Sequence, residues 1–145
     1  MVDVGGKAQT RRRAIARGRV RMGKSAFEAL ATGRLSKGDA LAVARLAGIL
    51  AAKKTPELVP LAHPIRLESV AVECTLDSRA REVVVTAEVS TSARTGVEME
   101  ALTAVTVAAL TLYDMLKAVD RGMVMGEFAV WEKRGGRSGV FRRRP

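Results

Sequence analysis

The sequence predicts an α+β protein of the ferredoxin-like βαββαβ class, in which an antiparallel sheet carries helices packed on one face. Apolar residues alternate with period 2 in four segments and recur with helical spacing in the segments between them. The order of these segments along the chain is strand, helix, strand, strand, helix, strand. We expect a single domain over residues 1–145, with a basic N-terminal arm at 1–14 and a Gly/Arg tail at 134–145.

The first third of the chain predicts one strand and a helical connection. The stretch from Ala16 to Met22 alternates, which places its arginines on the outer side of a strand. The segment "KSAFEALATG" predicts a short helix that Gly33 stops. A longer helix is predicted in "SKGDALAVARLAGILAAKKT", with Ser36 as its N-cap and Asp39 as the acid of a capping box.

The remaining elements follow a proline-rich linker, which we expect to be extended because of Pro56, Pro60 and Pro64. The alternating segments "RLESVAVECTL" and "REVVVTAEVST", joined by "DSRA", predict a hairpin. The segment "GVEMEALTAVTVAALTLYDMLKA" predicts one long helix, with Thr95 as its cap and Glu98 three residues later. Its apolar surface extends round much of the helix, so we expect part of it to be buried against a second subunit. The segment "GMVMGEFAVWEK" predicts the final strand.

Composition narrows the classes of partner. The formal charge of +10, from 25 basic and 15 acidic residues, favours a polyanion: nucleic acid, or a small substrate that carries several phosphates. The chain has neither a run of about 18 apolar residues nor the apolar segment of a secretory signal, so we expect a cytoplasmic protein without a membrane partner. The only cysteine, Cys74, lies in an alternating strand and is predicted to be a buried, inert thiol.

Charges at the two ends of the long helix are candidates for chemistry. Glu98 and Glu100 stand at its start, and Asp114 and Lys117 stand near its end. Glu100 and Asp114 fall roughly on one face but are about 21 Å apart along the axis, so they cannot share a pocket within one chain. The alternative interpretations are a capping acid for Glu98 and a surface ion pair at i,i+3 for Asp114 and Lys117.

Other candidates are weaker when taken singly. His63 is the only histidine, and no spacing of carboxylates suggests ligands, so we predict neither a protein-bound metal nor another cofactor. Phosphate-binding glycine motifs of the Walker and dinucleotide types are missing from the sequence. Dispersed basic residues remain, each of which could bind phosphate or simply be solvated: Lys7, Arg12, Lys37, Lys53, Lys54 and Lys133.

Four segments together resemble a known family: "MVDV", "KGDALAVARLAGILAAKKTPELVPLAHP", "TGVEMEALTAVTVAALTLYDMLKAVD" and "GGRSG". They are similar to the molybdenum cofactor biosynthesis protein C family, the cyclic pyranopterin monophosphate synthases. The resemblance covers nearly the whole chain. It implies a lyase that converts a cyclised dihydroguanosine triphosphate into cyclic pyranopterin monophosphate and releases pyrophosphate.

The resemblance also implies roles for individual residues and an assembly. It marks Asp114, Lys117 and Lys37 as catalytic, with Asp114 and Lys117 as an acid/base pair. The residues implied to bind the triphosphate substrate are Lys7, Arg12, His63, Glu98, Met99 and Glu100. The family's assembly implies a homohexamer, built as a trimer of dimers, with active sites at the dimer interface.

Two other classes of protein fit some of these observations. A small basic RNA-binding protein would share the ferredoxin-like fold and the positive charge. Such proteins stack bases on aromatic residues of the sheet, and the predicted strands from Arg66 to Thr91 contain none. A purely structural oligomer would leave the acids of the long helix without a purpose.

Overall fold

The computed structural model describes residues 1–144, which form five strands and four helices. In chain order these are β1 (Thr10–Arg21), α1 (Lys24–Ala31), α2 (Ala40–Lys53), α3 (Thr55–Leu58), β2 (Ser69–Asp77), β3 (Glu82–Ala93), α4 (Glu98–Leu116), β4 (Val124–Arg134) and β5 (Phe141–Arg142). The strands form one antiparallel sheet in the order β2-β3-β1-β4-β5. The first four strands of this order match the ferredoxin-like arrangement, so the predicted fold class is confirmed.

Three boundaries differ from those that the sequence predicts. β1 begins at Thr10 rather than Ala16, because its first residues continue the ladder with the end of β3. The expected extended linker contains the one-turn helix α3, whose Pro56 is tolerated because a first-turn N–H has no helical partner. The short strand β5 lies within the predicted tail and pairs with β4.

The predicted N-cap of α2 is also wrong. The Asp39 carboxylate caps this helix by accepting a hydrogen bond from the Ala42 N–H at 3.0 Å. Gly38 has a φ of 91°, which a right-handed helix cannot contain, so a helix starting after Ser36 is interrupted there. The segment before Asp39 is therefore a turn, which leaves Lys37 outside the helix.

Helices α2 and α4 pack closely against each other on one face of the sheet. Gly48 of α2 makes this possible, because a Cβ there would lie 2.8 Å from the Ala104 carbonyl oxygen and 3.2 Å from Ala108 Cβ. Half of α4 is buried, although α4 alone among residues 1–144 is long and apolar enough to span a bilayer. The segment before α2 contacts the end of α4 through Lys37 and Asp114, so the two helices run antiparallel.

The two faces of the sheet differ in character. In β1, Ala14, Ala16 and Val20 are buried beneath the helices, whereas the alternating arginines point to the opposite face, as predicted. That face is covered by ion pairs and by Arg17, whose guanidinium lies 4.7 Å from the centre of the Trp131 ring. The helices therefore occupy one side of the sheet, and most of the ion-paired arginines occupy the other.

The single cysteine is partly buried on β2. Burial raises the pKa of the Cys74 thiol to about 11, although the nearby Arg45 opposes this shift. The thiol is therefore protonated at neutral pH and a poor nucleophile, as the alternating pattern of the strand indicates.

Candidate active site

A cavity of about 720 Å³ opens at the N-terminal end of α4. Its walls come from the N-terminal segment, the start of β1, the segment before α4 and the loop after β4. The charged residues that line it are six bases and one acid: Lys7, Arg12, Arg94, Lys133, Arg134, Arg137 and Glu98. Such a concentration of positive charge in a concave site suits a ligand with several phosphates. We call this the basic cavity.

The Arg12 side chain is fixed by the backbone at the end of β3. Its Nε and Nη2 donate to the carbonyl oxygens of Ala93 and Arg94, each at 3.3 Å. Gly135 and Gly136, with φ of 99° and 75°, fold the loop after β4 against this guanidinium. A Cβ at Gly136 would lie 2.9 Å from Arg12 Cζ, so glycine supplies both the left-handed backbone and the space.

The loop after β4 forms a wall of the basic cavity, for which the sequence analysis named Lys133 as a possible phosphate-binding residue but assigned no role to the loop itself. Lys133 Nζ donates a hydrogen bond to Ser138 Oγ across this loop. Arg137 and Ser138 line the cavity, as does Arg94 from the opposite side. The paired glycines of "GGRSG" were the available signal for the loop, because adjacent glycines beside basic residues are typical of an anion-binding turn. No sequence motif points to Arg94.

Glu98 lies in the basic cavity and does not act as a capping-box acid. The N-cap of α4 is Val97, and no side chain caps this end. Because α4 begins at Glu98, this residue occupies the first helical position and not the third, so the predicted capping box with Thr95 is wrong. Its half-buried carboxylate lies over Gly96, where a Cβ would be 2.7 Å from Glu98 Cδ.

A second cluster, the lysine–aspartate cluster, lies at the other end of α4. The Asp114 carboxylate pairs with Lys117 Nζ at 2.7 Å and with Lys37 Nζ at 2.9 Å. These contacts, led by the hydrogen bond from Lys117, lower the pKa of Asp114 to about 2 although its side chain is 53% exposed. The structure therefore brings the three predicted catalytic residues together. The i,i+3 surface pair considered above is part of this larger cluster.

Glu100 belongs to neither group. It is 3% exposed, and within residues 1–144 its Oε2 atom has no hydrogen-bond partner. Burial chiefly, and the negative charge of Glu98 to a lesser degree, raise the pKa of its carboxyl group. A buried carboxyl oxygen without a partner costs free energy, and Glu100 lies two residues from Glu98 of the basic cavity.

The structure places the two other predicted substrate-binding residues outside both groups. The His63 Nε2 atom lies 2.8 Å from the Val2 carbonyl oxygen, which ties the N-terminal segment to the linker before β2. Met99 is 42% exposed on α4. In the part of the chain that the structure describes, no three His, Cys, Asp or Glu side chains are grouped to hold a metal ion.

The basic cavity and the lysine–aspartate cluster stand at opposite ends of one helix. Glu98 and Asp114 are separated by about 24 Å along the axis, at 1.5 Å per residue. A small substrate cannot touch both within one chain. Lys7, Arg12 and Glu98 therefore form one part of the predicted site, and Lys37, Asp114 and Lys117 form the other.

Comparisons with known proteins give a consistent result. A family model described as the MoaC family matches residues 1–136. The cyclic pyranopterin monophosphate synthase of Pelotomaculum thermopropionicum is 55% identical over 144 residues, which span 99% of this chain and 85% of the relative. The synthase of the same name from Roseiflexus sp. is 56% identical over 97% of this chain and 89% of its own length. The synthase from Thermomicrobium roseum is 55% identical over 99% of this chain and 86% of its own length.

Proposed function

The chain belongs to the MoaC family, and we propose that it forms cyclic pyranopterin monophosphate from a cyclised dihydroguanosine triphosphate with release of pyrophosphate. It is thus an enzyme of molybdenum cofactor biosynthesis and a lyase. The observation that carries the proposal is the basic cavity in a chain whose relatives, at more than half identity, are synthases of this name. These relatives do not favour the alternative of an RNA-binding protein.

The basic cavity suits the polyphosphate end of the substrate. Six cationic side chains converge there, and Arg12 is held in place by two backbone carbonyls before any ligand binds. Cations that are fixed in advance stabilise the charge that develops on a leaving pyrophosphate without having to reorganise. We assign the phosphate-binding role to Lys7, Arg12 and Lys133.

The lysine–aspartate cluster suits proton transfer. The Asp114 carboxylate is ionised at neutral pH, and although a pKa near 2 makes it a weak base while both lysines contact it, it can take a proton from a substrate group that displaces one of them. Lys117 and Lys37 donate hydrogen bonds to this carboxylate, so all three side chains can contact the same oxygen or nitrogen of the substrate. Ring opening and cyclic phosphate formation both require such transfers, so we assign catalysis to Asp114, Lys117 and Lys37.

The basic cavity of one chain and the lysine–aspartate cluster of a second copy come together at an interface between the two chains. On α4, Met99, Leu110 and Lys117 are spaced close to whole helical turns, so they form one exposed stripe that ends in the lysine–aspartate cluster. Val43, Leu46 and Leu50 of α2 are also exposed, so apolar surface remains uncovered on the helical side. Two copies of α4 packed antiparallel along this stripe would bring Met99 and the basic cavity of one chain to Asp114 of the other. Three such dimers would make the hexamer.

The remaining candidates fit as supporting groups at this shared site. His63 holds the N-terminal segment through Val2 and thus places Lys7, five residues later, near the basic cavity. Glu100 has a buried carboxyl oxygen without a partner and lies two residues from Glu98, which supports a place for it behind the residues that contact the substrate. We assign these residues, with Met99 and Glu98, to substrate binding. The proposal includes a cytoplasmic location and requires no cofactor, nucleic acid or membrane.

Incubation of the purified protein with the cyclised dihydroguanosine triphosphate tests the proposal directly. We expect stoichiometric release of pyrophosphate together with the pterin product. The control is Asp114→Asn, which keeps the size of the side chain but cannot accept the proton, and should lose at least about 100-fold in turnover. Its circular dichroism spectrum and oligomer size should match the wild type. The proposal is wrong if the wild-type protein forms no pterin under conditions in which it remains folded.

A further inference from the structure

The Glu132 carboxylate is a hub for three arginines on the face of the sheet opposite the helices. Its Oε1 accepts from Arg13 Nη1 at 2.9 Å and from Arg134 Nε at 2.5 Å, and its Oε2 accepts from Arg142 Nε at 2.9 Å. The Glu132 side chain is 17% exposed, whereas its partners Arg134 and Arg142 are 47% and 65% exposed, so solvent reaches these ion pairs from the arginine side. Glu132 itself does not line the basic cavity.

Arg13 and Glu132 are each next in sequence to a residue that lines the basic cavity. Arg13 follows Arg12 in β1, and Glu132 precedes Lys133 in β4. Neighbouring residues of a strand point to opposite faces, and Lys133 pairs with the buried Ala14, which lies on the helical side. The ion pair between Arg13 and Glu132 therefore links β1 to β4 on the face of the sheet opposite the helices. It does so beside Arg12 and Lys133, which line the basic cavity.

The third arginine lies where the chain returns to β4 after the loop. Arg142 lies in β5, which has only two residues and pairs with Glu132 and Lys133 of β4. The contact from Arg142 to Glu132 Oε2 adds a charge-assisted bond to the backbone pairing of this short strand, beside the bonds that Arg143 donates to the carbonyl oxygens of Trp131 and Val130. The same loop contains Gly136, which packs on Arg12, and Ser138, which accepts from Lys133.

We propose that Glu132 is a positioning residue, which fixes Lys133, Arg12 and the loop after β4 in the arrangement that binds the polyphosphate of the substrate. The inference rests on the proposed function for the identity of that ligand. Glu132 touches no reacting atom, so its effect should fall on binding and not on the proton transfers at the lysine–aspartate cluster.

The variant Glu132→Gln keeps the shape of the side chain but removes the charge that holds three arginines. We expect KM for the triphosphate substrate to rise about tenfold, because loss of a charge-assisted contact weakens the phosphate-binding arrangement, with kcat changed less than about twofold. The matched control is Glu88→Gln. Glu88 also binds Arg13, at 2.5 and 2.7 Å, but contacts neither Arg134 nor Arg142. KM of this control should stay within about twofold of the wild type.

A double variant tests whether Glu132 acts through Lys133. In a Lys133→Ala background, Glu132→Gln should raise KM by a smaller factor than in the wild type, because part of what it positions is already gone. Equal factors in the two backgrounds, an unchanged KM in Glu132→Gln, or a fall in kcat with KM unchanged would each overturn the inference.

Two further measurements test the inference if Glu132→Gln does not fold or if the protein does not catalyse the proposed reaction. If Glu132→Gln does not fold, Arg142→Ala replaces it, since this exposed arginine supplies one of the three contacts, and KM should rise about threefold. Calorimetric titration with pyrophosphate requires no turnover. Weaker pyrophosphate binding by Glu132→Gln than by Glu88→Gln supports the positioning role even if the wild type forms no pterin, and equal binding contradicts it.

Discussion

Lys37 Nζ lies 2.9 Å from Asp114 Oδ2, in an ion pair that joins the turn before α2 to the last turn of α4. The same lysine also donates to the Asp114 backbone carbonyl oxygen at 2.9 Å. The antiparallel packing of α2 and α4 makes this meeting possible, because it brings the start of one helix to the end of the other. Gly48, at the point of closest approach, is thus linked through packing to the geometry of the lysine–aspartate cluster.

Replacement of Lys117 by Met should raise the pKa of Asp114 from about 2 towards its ordinary value of 3.8, because the largest cause of the depression is removed. Carboxyl ¹³C chemical shifts, followed against pH, measure this directly. A folded-state pKa that is depressed means that the group stabilises the fold above the unfolded pKa. This contribution is lost as pH falls from about 4 through about 2. Lys53→Met, at the far end of α2, is the control, and an unchanged midpoint in Lys117→Met would contradict the assignment.

Gly48→Ala should destabilise the fold although alanine is the better helix former. The added methyl would meet the Ala104 carbonyl oxygen at 2.8 Å and force α2 and α4 apart. Overpacking of this kind costs about 1–3 kcal/mol, and the gain in helix propensity offsets at most about 1 kcal/mol. Denaturant unfolding should show a net loss of about 1–2 kcal/mol. Gly126→Ala, where a Cβ meets no atom within 4 Å, should change stability much less, and a stabilised Gly48→Ala would refute the packing argument.

Gly136→Ala should weaken substrate binding. Its φ of 75° and the contact of a Cβ with the Arg12 guanidinium together require the loop or the arginine to move. Gly139→Ala is the matched control, because Gly139 has a φ of 61° but open space around its Cβ position. Both variants carry the same type of backbone strain, so a rise in KM confined to Gly136→Ala isolates the contact with Arg12. Similar KM values for the two variants would show that this contact is unimportant.

Local patterns predict the elements of the fold well. The alternation of β2 and β3 and the apolar repeat of α2 and α4 give the correct order, and the sheet topology follows from that order. The predicted helix boundaries are wrong where a single residue overrides the periodic pattern of apolar residues. Gly38 and Asp39 decide the start of α2, and Val97 leaves α4 without the side-chain cap that Thr95 suggests.

The basic cavity was only partly predictable because its residues come from distant parts of the chain. Lys7 and Arg12 stand near one terminus, and Arg137 and Ser138 stand near the other. The pairing of β1 with β4, which the fold class implies, brings these segments together, but it does not determine which of their side chains line a cavity. Lys7, Arg12 and Glu98 were candidates by charge and position, and the resemblance to a family assigned them to substrate binding. The loop after β4 needed the structure, which shows its glycines packed on Arg12.

The central claim is that the basic cavity of one chain and the lysine–aspartate cluster of another form a single active site. Two inactive variants test it: Arg12→Ala/Lys133→Ala removes cations of the basic cavity, and Asp114→Asn disables the lysine–aspartate cluster. In a mixed dimer, one of the two shared sites carries both lesions and the other carries neither. Mixing the two inactive variants should therefore restore part of the activity.

The decisive measurement is the rate of pterin formation after equal amounts of the two variants are dissociated and reassembled together. Random pairing makes about half of the dimers mixed, each with one intact site of two, so about a quarter of the wild-type rate should appear. Each variant reassembled alone should stay inactive. A mixture that stays inactive, while wild-type protein treated in the same way recovers its rate, would contradict a site shared between chains.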